Sequence, residues 1–170
     1  MSPEDPTSAV DATHEHRLSG DPQRSHVTLY ANGSVGADGT CQVECRNNRE
    51  LGILPILDGD GKSACAGDML LEVLVGCAGV TLRQMATAME IDLRKAAIHA
   101  QGDLDLGGSA GISEPVRVRL QNIRLHFDVE SNATEEQLPV LVRLTERYCT
   151  VSRTLNPPAA ITFSSAKPSG

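Results

Sequence analysis

A chain of 170 residues, 40% of them hydrophobic, is long enough to form one globular domain with its own core. With two Phe, two Tyr and no Trp, that core must be built from aliphatic side chains. The net charge of −7 and the lack of a basic run argue against nucleic acid or a membrane surface as partner.

The N-terminal part differs in composition from the rest of the chain. Residues 1–25 are polar, rich in Pro, Ser, Asp and His, and without a hydrophobic period. We expect a flexible segment there and a single domain over residues 26–170. The N-terminus lacks the charged-then-apolar pattern of a signal peptide, so a cytoplasmic location is expected. In that compartment the five cysteines are interpreted as thiols, metal ligands or redox residues.

A hairpin opens the predicted domain. The segments 26–35 and 40–46 predict two strands joined by a Gly-containing turn. In the second strand Cys41 and Cys45 share a face, ~13 Å apart at 3.3 Å per residue, so they cannot pair with each other. Buried thiols are the simpler interpretation. A metal site that also includes Cys65 is a weaker alternative, because the spacing fits no zinc motif. We expect no metal and no other cofactor.

A long apolar helix is predicted over residues 67–90. Its apolar residues recur at helical spacing over a surface too wide for a solvent-facing helix, which predicts a central and mostly buried one. Its uncharged stretch, residues 73–82, is shorter than the ~20 residues that a membrane span needs. Cys77 lies in the middle of this helix between two glycines, each of which costs roughly 1 kcal/mol against Ala. Small residues beside a thiol indicate that another element comes close there.

The remaining segments complete an α+β pattern. Residues 93–106 and 116–129 predict strands, and the second strand changes the parity of its apolar face at residues 121–122, as a β-bulge would produce. A capping box at residues 134–137 opens a second helix. Residues 159–164 predict a last short strand. This order of elements is typical of an α+β domain.

Two cysteine motifs at this spacing resemble the OsmC/Ohr family, the osmotically inducible and organic-hydroperoxide-resistance proteins. The motifs are Gly67-Asp68-Met69-Leu70-Leu71 leading to Gly76-Cys77, and Tyr148-Cys149-Thr150-Val151-Ser152-Arg153-Thr154-Leu155. The resemblance covers residues 27–163. It implies an OsmC-like α+β fold with antiparallel sheets around a long cysteine-bearing helix. It also implies an intertwined homodimer, with each site at the subunit interface.

The same resemblance implies thiol peroxidase chemistry. Cys77 matches the peroxidatic cysteine of the family and Cys149 the resolving one. A thiolate that attacks the peroxide O–O bond becomes a sulfenic acid, and a second thiol with its Cα within ~4.4–6.8 Å traps that acid as a disulfide. An external dithiol then restores both thiols. The implied substrates are organic hydroperoxides, with hydrogen peroxide as a further one.

A cation must support the attacking sulfur, because burial raises the pKa of a thiol above its free value of ~8.5. In the hydroperoxide-resistance branch this cation is an Arg of the first hairpin, but Ala37 stands in the matching place here. Arg46 and Arg49 are candidate counterparts of the Arg in the OsmC branch. Arg153 is a further candidate, and Asp68 is the candidate acidic partner. Each has a simpler interpretation, as a surface charge or, for Asp68, as a residue favoured at a helix N-terminus.

The missing hairpin Arg leaves a second function open. It is a non-catalytic OsmC-like protein that binds a small apolar or thiol-reactive ligand at the dimer groove. The two functions differ in what the thiols do: the peroxidase consumes peroxide through Cys77, whereas the binding protein needs no ionised sulfur. Peroxide consumption by the wild-type protein and by Cys77→Ser distinguishes the two.

Overall fold

The structure is a computed structural model that describes residues 26–36, 41–44, 65–109, 119–155 and 159–166, together with 54 and 157. Three sets of sequence predictions lie outside the described residues. They are the flexible segment 1–25, the turn that contains Ala37, and the side chains of Cys41, Cys45, Arg46 and Arg49.

The described residues form one mixed sheet of five strands in the order β2-β1-β3-β4-β5. The strands are β1 His26–Val35, β2 Cys41–Val43, β3 Leu93–Asp105, β4 Leu120–Ser131 and β5 Ala160–Ala166. The pairs β1–β2, β1–β3 and β3–β4 are antiparallel, as the resemblance implied, whereas β5 runs parallel to β4. This difference arises because the chain crosses over through helices between β4 and β5, and a crossover returns it in its original direction.

The helices cover one face of this sheet. They are α1 Ala66–Ala88, the short α2 Leu106–Ser109, α3 Gln137–Tyr148 and α4 Thr150–Thr154. The long helix predicted from the sequence is therefore confirmed. α1 packs on β1 and β3 and also contacts α3 and α4. Among the described helices, α1 has the length and composition to cross a membrane, but these contacts are those of a core helix.

The core is aliphatic, as the composition predicts. Most of its largest fully buried side chains are branched aliphatic ones, the larger part of them from α1, β3 and β4. They include Leu71, Leu74, Val75, Leu82, Ile98, Leu125 and Leu141. Phe127 is also fully buried, and its ring centroid lies 5.6 Å from that of Phe163. This core fixes α1 against the sheet.

The β-bulge predicted at residues 121–122 is confirmed. The β3–β4 register shifts between Gln101 and Asp103, so that two residues of β4 lie opposite Gly102. Asn122 adopts a φ of 48°, in the left-handed region that Asn tolerates better than most residues. Gly102 is needed for close packing, because a Cβ there would lie 2.8 Å from Cγ of Leu120.

The predicted capping box is also confirmed, and it starts the helix that leads to the second cysteine motif. The Gln137 N–H donates to Oγ1 of Thr134 at 3.2 Å, and the Thr134 N–H donates to Oε1 of Gln137 at 2.9 Å. Further along α3, the Leu141 side chain is fully buried in the core. The helix is thus anchored at its start and in its middle before it reaches Cys149.

The face of the sheet away from the helices carries a hydrogen-bonded polar cluster. Arg124 forms two parallel hydrogen bonds with Asp103, each 3.0 Å long. Thr28 and Asn122 also donate to the Asp103 carboxylate. The Arg124 guanidinium, aided by these donors, lowers the pKa of Asp103 from 3.8 to about 2. The cluster joins β1, β3 and β4 next to the bulge.

Candidate thiol site

Cys77 lies in the middle of α1, on a flank of the helix. Its neighbour Ala78 is fully buried, whereas Cys77 is half-buried. The Thr81 hydroxyl donates to the Cys77 carbonyl at 2.8 Å, which keeps the helix hydrogen-bonded around the thiol. The thiol is therefore rigidly held yet still within reach of a small molecule.

Cys149 lies at the break between α3 and α4. Its backbone is extended, with φ −71° and ψ 103°, so the two helices meet there at an angle. The Cys149 N–H donates to the Thr145 carbonyl at 2.9 Å, and the Arg153 N–H donates to the Cys149 carbonyl at 3.0 Å. The residue is fully buried. Both of its backbone groups are satisfied, which fixes where the sulfur lies.

The structure brings these two cysteines together. α4 packs against α1, and the Cys77 and Cys149 thiols are close enough to share a hydrogen bond. Sequence spacing alone could not show this contact.

Burial controls the ionisation of the second thiol. Removal from solvent, together with smaller contributions from the charge and the hydrogen bond of the neighbouring Cys77, raises the pKa of Cys149 to about 11. The N–H groups of Ser152 and Val151 oppose this effect, although neither forms a full capping hydrogen bond. At neutral pH Cys149 is therefore a neutral thiol.

The other predicted site residues lie in different places. Asp68 is buried in the first turn of α1 and is engaged in an interaction there. Arg153 is exposed in the last turn of α4. Cys65 is half-buried at the start of α1 and packs against the core. Arg153 is thus the one proposed cation within the described residues. In the same part of the chain, no group of three or more His, Cys, Asp or Glu residues could hold a metal ion.

Sequence reasoning missed one residue of this site, Ser152. Its side chain is fully buried, and its hydroxyl has no hydrogen-bond partner among the residues that the structure describes. The residue belongs to the second cysteine motif, but a Ser in a polar segment gives no sign that it is buried. Its position three residues after a helix-starting cysteine is the signal that could have identified it.

An exposed apolar surface borders the thiols. Met69, Val73 and Cys77 follow each other at intervals of four residues, so they lie along one side of α1. Met69 is 37% exposed and Val73 is 56% exposed. Tyr148, adjacent to the second cysteine, is 53% exposed. Apolar side chains grouped in this way are typical of a surface that another molecule covers.

A long helix that carries one half-buried thiol, packed on a mixed sheet and touching a second, buried thiol, defines a class of α+β dithiol proteins. Within that class, the family model described as OsmC-like protein matches residues 59–164. The chain therefore belongs to the OsmC-like family.

Solved structures agree with this assignment at the level of the fold. An OsmC-like protein from Mycoplasma pneumoniae has a TM-score of 0.56 and 19% identity, covering 81% of this chain and 96% of its own. An OsmC-like hydroperoxide resistance protein from Jannaschia sp. CCS1 has a TM-score of 0.54 and 11% identity, covering 78% and 87%. An organic hydroperoxide resistance protein OsmC from Legionella pneumophila has a TM-score of 0.50 and 14% identity, covering 82% and 96%. No curated protein sequence matches at a significant level.

Proposed function

We propose that the protein is a thiol-dependent peroxidase that reduces organic hydroperoxides, and hydrogen peroxide as a further substrate. The observation that carries this proposal is the contact between a half-buried Cys77 and a fully buried Cys149. A peroxide can reach the Cys77 sulfur from the solvent. The Cys149 sulfur is closed to solvent but lies beside the Cys77 sulfur. This difference in access supports the peroxidatic role for Cys77 and the resolving role for Cys149.

The chemistry then follows in three steps. The Cys77 thiolate attacks the terminal oxygen of ROOH, the O–O bond breaks, and the products are an alcohol and a Cys77 sulfenic acid. The Cys149 sulfur attacks the Cys77 sulfur and displaces the hydroxyl group, which leaves as water, to form a disulfide. An external dithiol reduces this disulfide and is itself oxidised. No cofactor takes part in the proposed cycle.

The family supports a peroxidase-like role in general terms. Two of the similar structures are named as hydroperoxide resistance proteins, although at this identity the likeness shows the fold alone. The apolar surface beside Cys77 also favours an apolar organic hydroperoxide over a charged peroxide. The mechanism itself rests on the two thiols of this chain.

We also propose that the protein acts as a homodimer. The surface along Met69 and Val73 borders Cys77, and a second copy of the chain that covers it would remove apolar area from water. The covering copy would narrow the entrance to the thiol. It could also bring a guanidinium to Cys77, with Arg46, Arg49 and Arg153 as the candidates.

Peroxide consumption by purified protein tests the proposed function. With cumene hydroperoxide and excess dithiothreitol, we expect turnover by the wild-type protein and none above background by Cys77→Ser. Cys149→Ser should consume one equivalent of peroxide and then slow down, because its sulfenic acid has no internal thiol to react with. Cys65→Ser is the matched control, since Cys65 lies on the core side at the start of α1. Equal rates for the wild-type protein and Cys77→Ser would contradict the proposal.

A second candidate is a non-catalytic protein that binds a small apolar or thiol-reactive ligand. The exposed apolar residues around Cys77 favour it, because they would contact such a ligand directly. This candidate predicts that the wild-type protein does not consume peroxide. It also predicts that the rate of Cys77 alkylation by an apolar maleimide reaches a maximum as the reagent concentration rises, because the reagent binds before it reacts. An alkylation rate that rises in proportion to the maleimide concentration, together with peroxide consumption, supports the peroxidase instead.

A further inference from the structure

The buried hydroxyl of Ser152 is unusual among the helical hydroxyls of this protein. Thr81, Thr145 and Thr154 each donate to the carbonyl four residues earlier, at 2.8, 2.8 and 2.9 Å. Ser152 is fully buried, but its hydroxyl has no partner in the part of the chain that the structure describes. Unpaired buried hydroxyls are unfavourable and rare, so this one calls for a physical explanation.

The start of α4 removes both of the usual partners of this hydroxyl. The carbonyl four residues earlier belongs to Tyr148 and lies in α3, beyond the extended break at Cys149. In a capping box, the third residue of a helix reaches back to the N–H of the residue that precedes the helix. Here that N–H belongs to Cys149 and already donates to the Thr145 carbonyl at 2.9 Å. Neither backbone partner is available to Ser152.

The Cys149 sulfur is a further polar group at this helix start, three residues before Ser152. The backbone N–H of Ser152 is directed at that sulfur and favours its ionised form. A neutral thiol is a weak hydrogen-bond acceptor, so in the reduced protein this sulfur offers the hydroxyl little stabilisation. A thiolate is a strong, charged acceptor, and hydrogen bonds to charged groups are roughly twice as strong as neutral ones.

We propose that Ser152 is a positioning residue whose hydroxyl donates a hydrogen bond to the Cys149 sulfur when that sulfur carries negative charge. This inference rests on the proposed function and adds a residue to its resolving step. Cys149 loses its proton to the solvent, and its thiolate attacks the Cys77 sulfur of the sulfenic acid. The S–O bond breaks, and the departing hydroxide takes up a proton from the solvent to become water. When a dithiol reduces the disulfide, its thiolate attacks Cys77 and the Cys149 sulfur departs with the electron pair. Ser152 stabilises the anion in both directions.

Ser152→Ala tests this proposal, with Ser131→Ala as the matched control. Ser131 is also a buried serine, but it lies in β4, and its oxygen accepts from the Ala133 N–H at 3.4 Å. With one equivalent of cumene hydroperoxide, Ser152→Ala should form the sulfenic acid at the wild-type rate. It should then form the disulfide about tenfold to a hundredfold more slowly, the factor expected for loss of a hydrogen bond to a charged group. Ser131→Ala should resolve at the wild-type rate.

Stability separates this role from a structural one. Ser152→Ala removes a buried hydroxyl that has no partner, so its urea midpoint should equal or exceed the wild-type value. Ser131→Ala should have a lower midpoint. Ser152→Thr keeps the hydroxyl and should recover much of the resolving rate. A wild-type resolving rate in Ser152→Ala, or slow resolution that occurs only together with a lower midpoint, would overturn the proposal.

A second measurement does not depend on peroxidase activity. The Cys77–Cys149 disulfide is formed with diamide and then reduced by dithiothreitol. Ser152→Ala should be reduced about tenfold or more slowly than the wild-type protein, because its departing thiolate lacks a donor. Equal reduction rates overturn the role of Ser152. If the wild-type protein consumes no peroxide but Ser152→Ala is still reduced more slowly than the wild-type protein, the role of Ser152 is supported and the peroxidase is contradicted.

Discussion

The burial of Cys149 predicts a steep dependence of the resolving step on pH. Burial, followed by the effect of Cys77, raises the pKa of Cys149 to about 11. At pH 7 about one Cys149 in ten thousand is then a thiolate, because each unit below the pKa lowers that fraction tenfold. If the thiolate attacks the sulfenic acid, the rate of disulfide formation should rise about tenfold per pH unit, with no plateau below about pH 10.

A single-turnover experiment measures this rate. The reduced protein is mixed with one equivalent of cumene hydroperoxide at several values between about pH 6.5 and 9.5. Samples are quenched in acid, and the disulfide is quantified by mass spectrometry. Cys149→Ser is the control and should form the sulfenic acid but no Cys77–Cys149 disulfide. A rate that levels off near neutral pH would show that Cys149 ionises there, and would refute the reasoning from its burial.

The same burial predicts an effect on stability in alkaline solution. The pKa of Cys149 is raised from 9.0 in the unfolded chain to about 11 in the folded protein. Below about pH 9 both states hold the proton and the group has no effect. As the pH rises from about 9 to 11, the unfolded chain ionises first, so the free energy of unfolding falls by up to about 3 kcal/mol. The free energy of unfolding of Cys149→Ala, measured by urea denaturation at several pH values, should fall less between about pH 9 and 11 than that of the wild-type protein. An equal fall in both proteins would contradict the prediction.

Three further predictions concern the surface, the bulge and the polar cluster. Val73→Asp should weaken self-association about tenfold or more in sedimentation equilibrium, since it puts a charge into the proposed dimer surface; unchanged association would count against that surface. Gly102→Ala should lower the free energy of unfolding by about 1–3 kcal/mol, because the new Cβ would lie 2.8 Å from Cγ of Leu120, and adding Leu120→Ala should recover part of the loss. Asp103→Asn should cost about 1 kcal/mol at pH 7, a value reduced for the 42% exposure of its Arg124 partner. That cost should shrink as the pH falls through 3.8 and should be lost below about 2, where the wild-type carboxyl is protonated in both states; a pH-independent cost would exclude the ion pair as its cause.

Local patterns in the sequence predicted most of the elements. The reciprocal hydrogen bonds of Thr134 and Gln137 and the bulge near Asn122 depend on residues a few positions apart, so their signals are complete within a short window. The extent of α1 is likewise indicated by the segment over which apolar residues recur at helical spacing. The parallel pairing of β5 could not be predicted in this way, because it depends on how two helices carry the chain back across the sheet.

The candidate site was only partly predictable for the same reason. The motifs identified Cys77 and Cys149, but their contact depends on how α4 packs against α1, which no local pattern encodes. The burial of Ser152 also follows from that packing. Arg153, the proposed cation within the described residues, is a candidate because it is close to Cys149 in sequence. Its exposed position reflects the turn of α4, which directs the residue after Ser152 to a different side of the helix.

The position of Cys77 on α1 determines which chemistry its thiol can perform. Each residue turns a helix by about 100°, so neighbouring positions differ greatly in access. Ala78, one residue later, is fully buried, and Val73, one turn earlier, is 56% exposed. A thiol at the first of these positions would be closed to peroxide, and one at the second would lie open to the bulk solvent. At residue 77 the thiol has access on one side and Cys149 on the other, so in the proposed cycle the sulfenic acid would form next to the sulfur proposed to resolve it.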